Sequence, residues 1–242
     1  MATTQERTVS GKVSPEMPAT TSIGRKVWMA ISGLVLLGFV VGHMVGNLQI
    51  FLGQDQLNTY AEKLRELAPI LWAVRIVLVA FVLVHVIIGV MLWWRNRQSR
   101  PVAYEVHNFQ KATLASRTMI WTGLGILLYV VYHLMQFTWV ITDPRYATLR
   151  DSLGRHDVYS MVVIAFQNPI ISGVYILAMI FLAFHLSHAV SSFLQTLGWN
   201  TTRVQPILTR IAYTLSILLF LGYTSIPVAV LLGFVKLPGG GY

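Results

Sequence analysis

The sequence predicts an all-α integral membrane protein: a bundle of five transmembrane helices, with the N-terminus cytoplasmic and the C-terminus outside. Three observations predict it. The 242 residues are 55% hydrophobic and only 11% charged, with a mean hydropathy of +0.62, whereas soluble domains carry about 25% charged residues. Five apolar segments are long enough to cross a hydrocarbon core of about 30 Å at 1.5 Å per residue. Lys and Arg are also distributed unequally between the two sides of the chain.

Residues 1–22, MATTQERTVSGKVSPEMPATTS, are polar and contain Pro and Gly. No short apolar region with a cleavage site follows, so this is read as a flexible or partner-bound arm and not a signal peptide. Residues 23–242 form the transmembrane domain, with helices expected at about 26–52, 69–95, 118–142, 169–196 and 207–235. Polar runs separate them: GQDQLNTYAEKLRELAP, RNRQSRPVAYEVHNFQKATLASR, TDPRYATLRDSLGRHDVYSM and GWNTTRVQP. Pro69 and Pro169 suit a first helical turn, where the missing N–H costs little. Pro227 should kink the fifth segment.

The side holding the N-terminus and the loops 95–117 and 196–210 carries 11 basic residues: Arg7, Lys12, Arg25, Lys26, Arg95, Arg97, Arg100, Lys111, Arg117, Arg203 and Arg210. Its acids are Glu6, Glu16 and Glu105. The other side has seven basic residues against six acids. The positive-inside rule therefore sets the orientation. The net charge of +9 reflects this asymmetry and not a nucleic-acid partner. The absence of cysteine excludes disulfides, cysteine-ligated iron–sulfur clusters, haem c and thiolate ligands.

Four histidines, His43, His85, His133 and His185, lie one per segment near mid-membrane depth. An ionisable side chain there is costly and marks function. Segments one and three run outward, placing His43 and His133 at roughly 25 and 22 Å from the inner end. Segments two and four run inward, placing His85 and His185 at roughly 15 and 16 Å. The rings fall into two layers separated by roughly 8 Å. Two layers of paired imidazoles suit two bis-histidine haems b, His43 with His133 at one iron and His85 with His185 at the other.

Gly33 and Gly123 lie ten residues before His43 and His133, where they would admit a macrocycle edge; ordinary helix packing is the simpler reading of any one glycine. His188 competes with His185 and is otherwise a propionate or supporting partner. His107 and His156 read as surface residues. Arg25, Lys26, Arg95, Arg117 and Arg203 line the inner rim by snorkelling, with one or two placed for propionates. Trp28, Trp93, Trp94, Trp121, Trp139 and Trp199 form an aromatic belt. Glu66, near the outer layer, reads as a quinone-linked proton donor or a solvated acid. No internal repeat stands out.

In order, the motifs are Gly42-His43-Met44-Val45-Gly46-Asn47, Val84-His85-Val86-Ile87-Ile88-Gly89, Ala115-Ser116-Arg117-Thr118-Met119-Ile120-Trp121-Thr122-Gly123, Tyr132-His133-Leu134 and Phe184-His185-Leu186-Ser187-His188-Ala189. With these motifs the span 22–235 resembles the cytochrome b membrane anchor of succinate dehydrogenase (respiratory complex II), in its single-chain, five-helix, dihaem type shared with some fumarate reductases.

The resemblance implies a distal haem on His43 and His133 and a proximal haem on His85 and His185. It implies a flavoprotein subunit that oxidises succinate in the tricarboxylic acid cycle, a docked iron–sulfur subunit, and a quinone, menaquinone in the dihaem type. It implies a bacterial cytoplasmic membrane. It places an inner quinone site at Arg25, Trp28 and Ser32 and an outer one at Glu66. The readings weighed against it are the cytochrome b of a hydrogenase, a formate dehydrogenase or a quinol–cytochrome c oxidoreductase, and a transporter with a histidine relay.

Overall fold

A computed structural model describes residues 21–99, 113–196, 198 and 201–239. His107, Trp199 and nearly all of the N-terminal arm lie outside the described residues. Among the described residues seven α-helices follow in order: α1 Ser22–Leu48, α2 Gln54–Glu66, α3 Ala68–Gln98, α4 Leu114–Phe137, α5 Val158–Gln167, α6 Pro169–Thr196 and α7 Gln205–Leu231. Two 3-10 turns, Gln49–Leu52 and Pro144–Thr148, sit between them. Helices α1, α3, α4, α6 and α7 are long and apolar enough to cross a membrane. The chain is a multi-pass membrane protein.

Local chemistry explains the helix limits. Thr21 and Thr113 cap α1 and α4, their hydroxyls accepting from the N–H groups of Gly24 and Ser116 at 3.0 and 3.1 Å. Both helices thus start four residues earlier than their apolar cores suggest. At the far end α4 stops at Phe137, five residues short of the expected limit. Val140 takes φ 54°, and Ile141 N–H turns back to the Met135 carbonyl at 2.8 Å. A residue in the left-handed region cannot continue a right-handed helix, so the chain turns away from the α4 axis here. α7 runs through Pro227 and ends four residues later, at Leu231.

Two connectors expected as plain polar runs contain helices. α2 is too short to be stable alone, and its own termini carry little capping. A polar latch holds it. Asn58, 0% exposed, donates to Asp151 Oδ2 at 3.1 Å and Asp157 Oδ1 at 2.9 Å, and accepts the Tyr159 N–H at 3.0 Å. Arg155 reaches Asp55, Thr59 and Asp151 at 2.8, 2.6 and 2.8 Å. Asp157 also caps α5 through the Ser160 N–H and accepts from Gln54. This clamp fastens α2 over the start of α5.

The best-buried apolar core lies under this cap. It joins Ile50, Leu57, Tyr159, Val163, Phe166, Tyr175, Ile226 and Val230. Phe166 packs edge-on to Tyr175 at 4.9 Å and to Phe137 at 6.2 Å, each pair worth roughly 1 kcal/mol beyond its buried area. Within the bundle α1 packs on α3, α4 on α6, and α6 on α7. No residue of α3 is buried, so its outward faces meet lipid. Arg75 lies over the Trp72 ring at 5.1 Å and Arg97 over Trp93 at 5.9 Å, anchoring the two ends of α3 at the interfaces.

Candidate functional site: two opposed histidine pairs

The chain places His43 and His133 together, with ring centroids 5.8 Å apart and planes at 84°. It places His85 and His185 together at 6.2 Å and 59°. The first pair joins α1 to α4 and the second joins α3 to α6. These helices make no substantial backbone contact with their ring partners. The imidazoles reach across the space between two helix pairs, α1/α3 and α4/α6. The ring facing His85 is that of His185; no ring contact joins His85 to His188 among the described residues.

Two imidazoles sharing one metal, at about 2.0 Å per bond, hold their centroids about 6 Å apart. Both pairs stand at that separation. Their planes are free to rotate about the shared metal axis, so neither interplanar angle conflicts with ligation. No group of three or more His, Cys, Asp or Glu side chains gathers among the described residues. Two nitrogens per site suit a metal whose remaining ligands come from a macrocycle. On these observations the donor set fits haem.

The two layers have different surroundings. Aromatic rings enclose the outer pair. Phe39 stacks on His43 at 5.3 Å and Tyr223 lies 6.4 Å away. Tyr129, Phe137 and Tyr175 surround His133 at 5.8, 5.6 and 6.0 Å. His133 Nδ1 lies 3.2 Å from the Tyr175 hydroxyl, which donates to Gln136 Oε1 at 2.8 Å. At the inner pair, His85 Nδ1 lies 3.1 Å from Ser32 Oγ and His185 Nδ1 lies 3.3 Å from Thr122 Oγ1. Ser32 is therefore engaged with an imidazole.

Gly33 and Gly123 sit against the rings themselves. A Cβ at either would lie 3.4 or 3.3 Å from Cε1 of His85 or His185. Their small size gives clearance to the imidazole, where a macrocycle edge was expected, because the ring must come close to the neighbouring helix to reach its hydroxyl.

These contacts also revise the layer spacing. Ser32, which touches His85, precedes His43 on α1 by 11 residues, about 16 Å of helix. Thr122 precedes His133 on α4 by the same 11 residues, again about 16 Å. The earlier figure of roughly 8 Å assumed that all helices end in one plane. They do not, since α1 and α4 start early and α3 overruns to Gln98.

The equal spacing exposes an internal repeat that the histidine positions alone did not reveal. Residues 29–43, MAISGLVLLGFVVGH, align with 119–133, MIWTGLGILLYVVYH. Met29, Gly33, Leu34, Leu37, Val40, Val41 and His43 recur 90 residues later, and Ser32 becomes Thr122. In each half the hydroxyl–glycine pair meets a histidine of the next long helix. Thr122, Tyr175 and Gln136 were missed from the sequence. The repeat is the signal that would have found Thr122.

The remaining candidates lie at the two ends. Arg25, at the inner end of α1, is only 7% exposed, and its Nε has no hydrogen-bond partner among the described residues. Lys26, Trp28 and Arg117 are exposed. His188 is half-buried one turn inward of His185. Glu66 ends α2 and is exposed; with Glu62, Arg65 and His156 it lines an open pocket of about 330 Å³. His156, expected at the surface, is half-buried beside Arg150. Burial, with the Arg65 and Arg150 charges, holds its imidazole below the ordinary range.

No protein-family model, no curated protein and no solved structure matches this chain.

Proposed function

We propose that this chain is the membrane anchor and electron-transfer subunit of a succinate:quinone oxidoreductase in a bacterial cytoplasmic membrane, carrying two haems b. The observation that supports it most is the pair of opposed imidazole couples at two heights. The motif order that resembles the dihaem anchor of succinate dehydrogenase supports the choice of enzyme. Succinate chemistry belongs, on this reading, to a partner flavoprotein, with an iron–sulfur subunit between it and the inner face.

Haem, when bound, supplies a one-electron centre at each layer, and two histidine ligands leave no open position for O₂ or substrate. His43 and His133 would hold the outer iron, and His85 and His185 the inner one. The aromatic cage of Phe39, Tyr129, Phe137, Tyr175 and Tyr223 excludes water from the outer layer. Arg25, buried with an open donor, is the cation best suited to an inner propionate carboxylate. The exposed Lys26 and Arg117 would serve it from the rim or snorkel. His188 stands near the same site. Quinone, menaquinone on the family resemblance, would exchange electrons at one end of the bundle, with Trp28 and Arg25 inside or Glu66 outside.

The histidine-relay transporter needs broken helices at its site. Here α1, α3, α4 and α6 run unbroken past their histidines. A pyridine haemochrome assay on the purified chain tests the reading. It expects two haems b per chain; a colourless, folded preparation refutes it. Co-purification with a flavoprotein and an iron–sulfur protein, and reduction of the haems by succinate, distinguish this complex from the hydrogenase and formate dehydrogenase alternatives.

A further inference from the structure

Ser32 and Thr122 hold equivalent places in the two halves of the bundle, and their bonds fix more than position. A hydroxyl has a single proton to donate. Ser32 Oγ gives it to the Met29 carbonyl at 3.1 Å. Thr122 Oγ1 gives it to the carbonyls of Thr118 and Met119, each at 3.1 Å. Such back-bonding is the ordinary habit of a hydroxyl inside a helix. A carbonyl can only accept, so the one arrangement that satisfies both contacts of each hydroxyl has it donate to the carbonyl and accept from the ring. In that arrangement Nδ1 of His85 and of His185 is the donor, and Nε2 of each keeps its lone pair.

We propose that Ser32 and Thr122 are matched positioning residues, holding His85 and His185 as Nδ1–H tautomers with Nε2 turned to a shared metal. The proposal rests on the haem reading of the inner pair and assigns its supporting residues. The glycine after each hydroxyl belongs to the same device. A Cβ at Gly123 would crowd Cε1 of His185 at 3.3 Å, and one at Gly33 would stand in contact with Cε1 of His85 at 3.4 Å. Ser32 is fully buried and Thr122 nearly so, and the Met119 carbonyl of α4 also bonds to the His185 ring. The outer layer solves the same problem differently and only on one side. Tyr175 donates to Gln136 and thereby accepts from His133 Nδ1, while His43 makes no ring hydrogen bond among the described residues.

An N–H that donates to a fixed acceptor makes the opposite nitrogen a more basic ligand. A more basic ligand favours ferric iron over ferrous. Removing the acceptor should therefore raise the midpoint potential of the inner haem alone. The test is a redox titration of the purified full chain, followed in the α-band, for Ser32→Ala, Thr122→Val, Ser32→Thr and Thr122→Ser. The wave absent from His85→Ala identifies the inner haem. Ser32→Ala and Thr122→Val are expected to shift that wave upward, leave the outer wave in place, and weaken inner haem retention by about 10-fold. Ser32→Thr and Thr122→Ser are expected to keep both waves where they are.

Two haems per chain with unmoved waves in both Ser32→Ala and Thr122→Val overturn the proposal but not the haem reading. An equal shift in the hydroxyl-preserving variants also overturns it, since packing would then be the cause. If Ser32→Ala loses the inner haem outright, the Thr122→Val wave decides. If the unaltered chain holds no haem, both readings fail together.

Discussion

On the two-haem proposal, replacing His133 with alanine should remove the outer haem and leave the inner one almost untouched. The expectation follows from the distance between the layers. The α1 residues that meet them, Ser32 and His43, are 11 positions apart, about 16 Å along the helix. The two pairs have no ligand in common. Sites farther apart than about 10 Å without common partners combine within about 0.5 kcal/mol, so affinity for the remaining haem should change by less than about 2- to 3-fold. The charge on one iron still acts on the other. At an effective dielectric of about 20, unit charges about 16 Å apart interact by roughly 1 kcal/mol, so the remaining midpoint should move by no more than about 45 mV. Haem quantified against protein should fall from two per chain to one, and a titration should show a single wave. Loss of both haems from a chain that still runs as a folded, monodisperse species in detergent would refute the independence of the layers. Retention of both would refute His133 as a ligand.

Asn58→Ala should loosen the outer cap, because it takes one partner from each of Asp151 and Asp157 and leaves the buried Tyr159 N–H unpaired; the cost is about 2 kcal/mol, read as faster amide exchange across 54–66 and 150–167 with the haem content unchanged. The same cap should be acid-labile. Burial raises the Asp157 carboxyl, but the bonds from Ser160, Asn58 and Gln54 outweigh it and leave it below the usual carboxylate range, and Asp151 behaves likewise through Arg155 and Asn58. A carboxyl depressed in the folded state contributes fully above its unfolded value of about 3.9 and loses that contribution as pH falls through the folded one; amide exchange across the cap should therefore be flat from pH 7 to about 5 after correction for intrinsic rates and should rise only below about 4. Arg25→Gln should lower the midpoint of the inner haem, since a nearby cation favours the reduced iron, and should leave the outer wave in place; an unchanged inner wave would remove Arg25 from the propionate role.

Composition and hydropathy were enough to give five spanning helices, because lipid forces every backbone polar group into internal hydrogen bonds and leaves an apolar run little choice but helix. The four histidines stood out for a related reason, since an imidazole among aliphatic residues is costly without a task. Helix α2 was not legible. Its stability comes from Asn58 meeting Asp151 and Asp157, and from Asp55 and Thr59 meeting Arg155, about a hundred residues away. The repeat was hard to see because membrane segments draw on few residue types, so the seven coincidences between 29–43 and 119–133 lie within a background of Leu and Val. Helix rise alone sorted the histidines by depth, but it gave the wrong spacing, because depth counted from helix ends depends on caps and overhangs.

Sequence alone thus determined what each segment is: how many helices cross, which carry an imidazole, and in what order of depth, all consequences of local burial and backbone hydrogen bonding. Only the tertiary structure decided what each imidazole meets. Ser32 reaches His85 across 53 positions of sequence and Thr122 reaches His185 across 63. Each hydroxyl also stands within bonding distance of a carbonyl of its own helix. Such a bond depends on the packing of two helices side by side, and no residue type or spacing within either one encodes it.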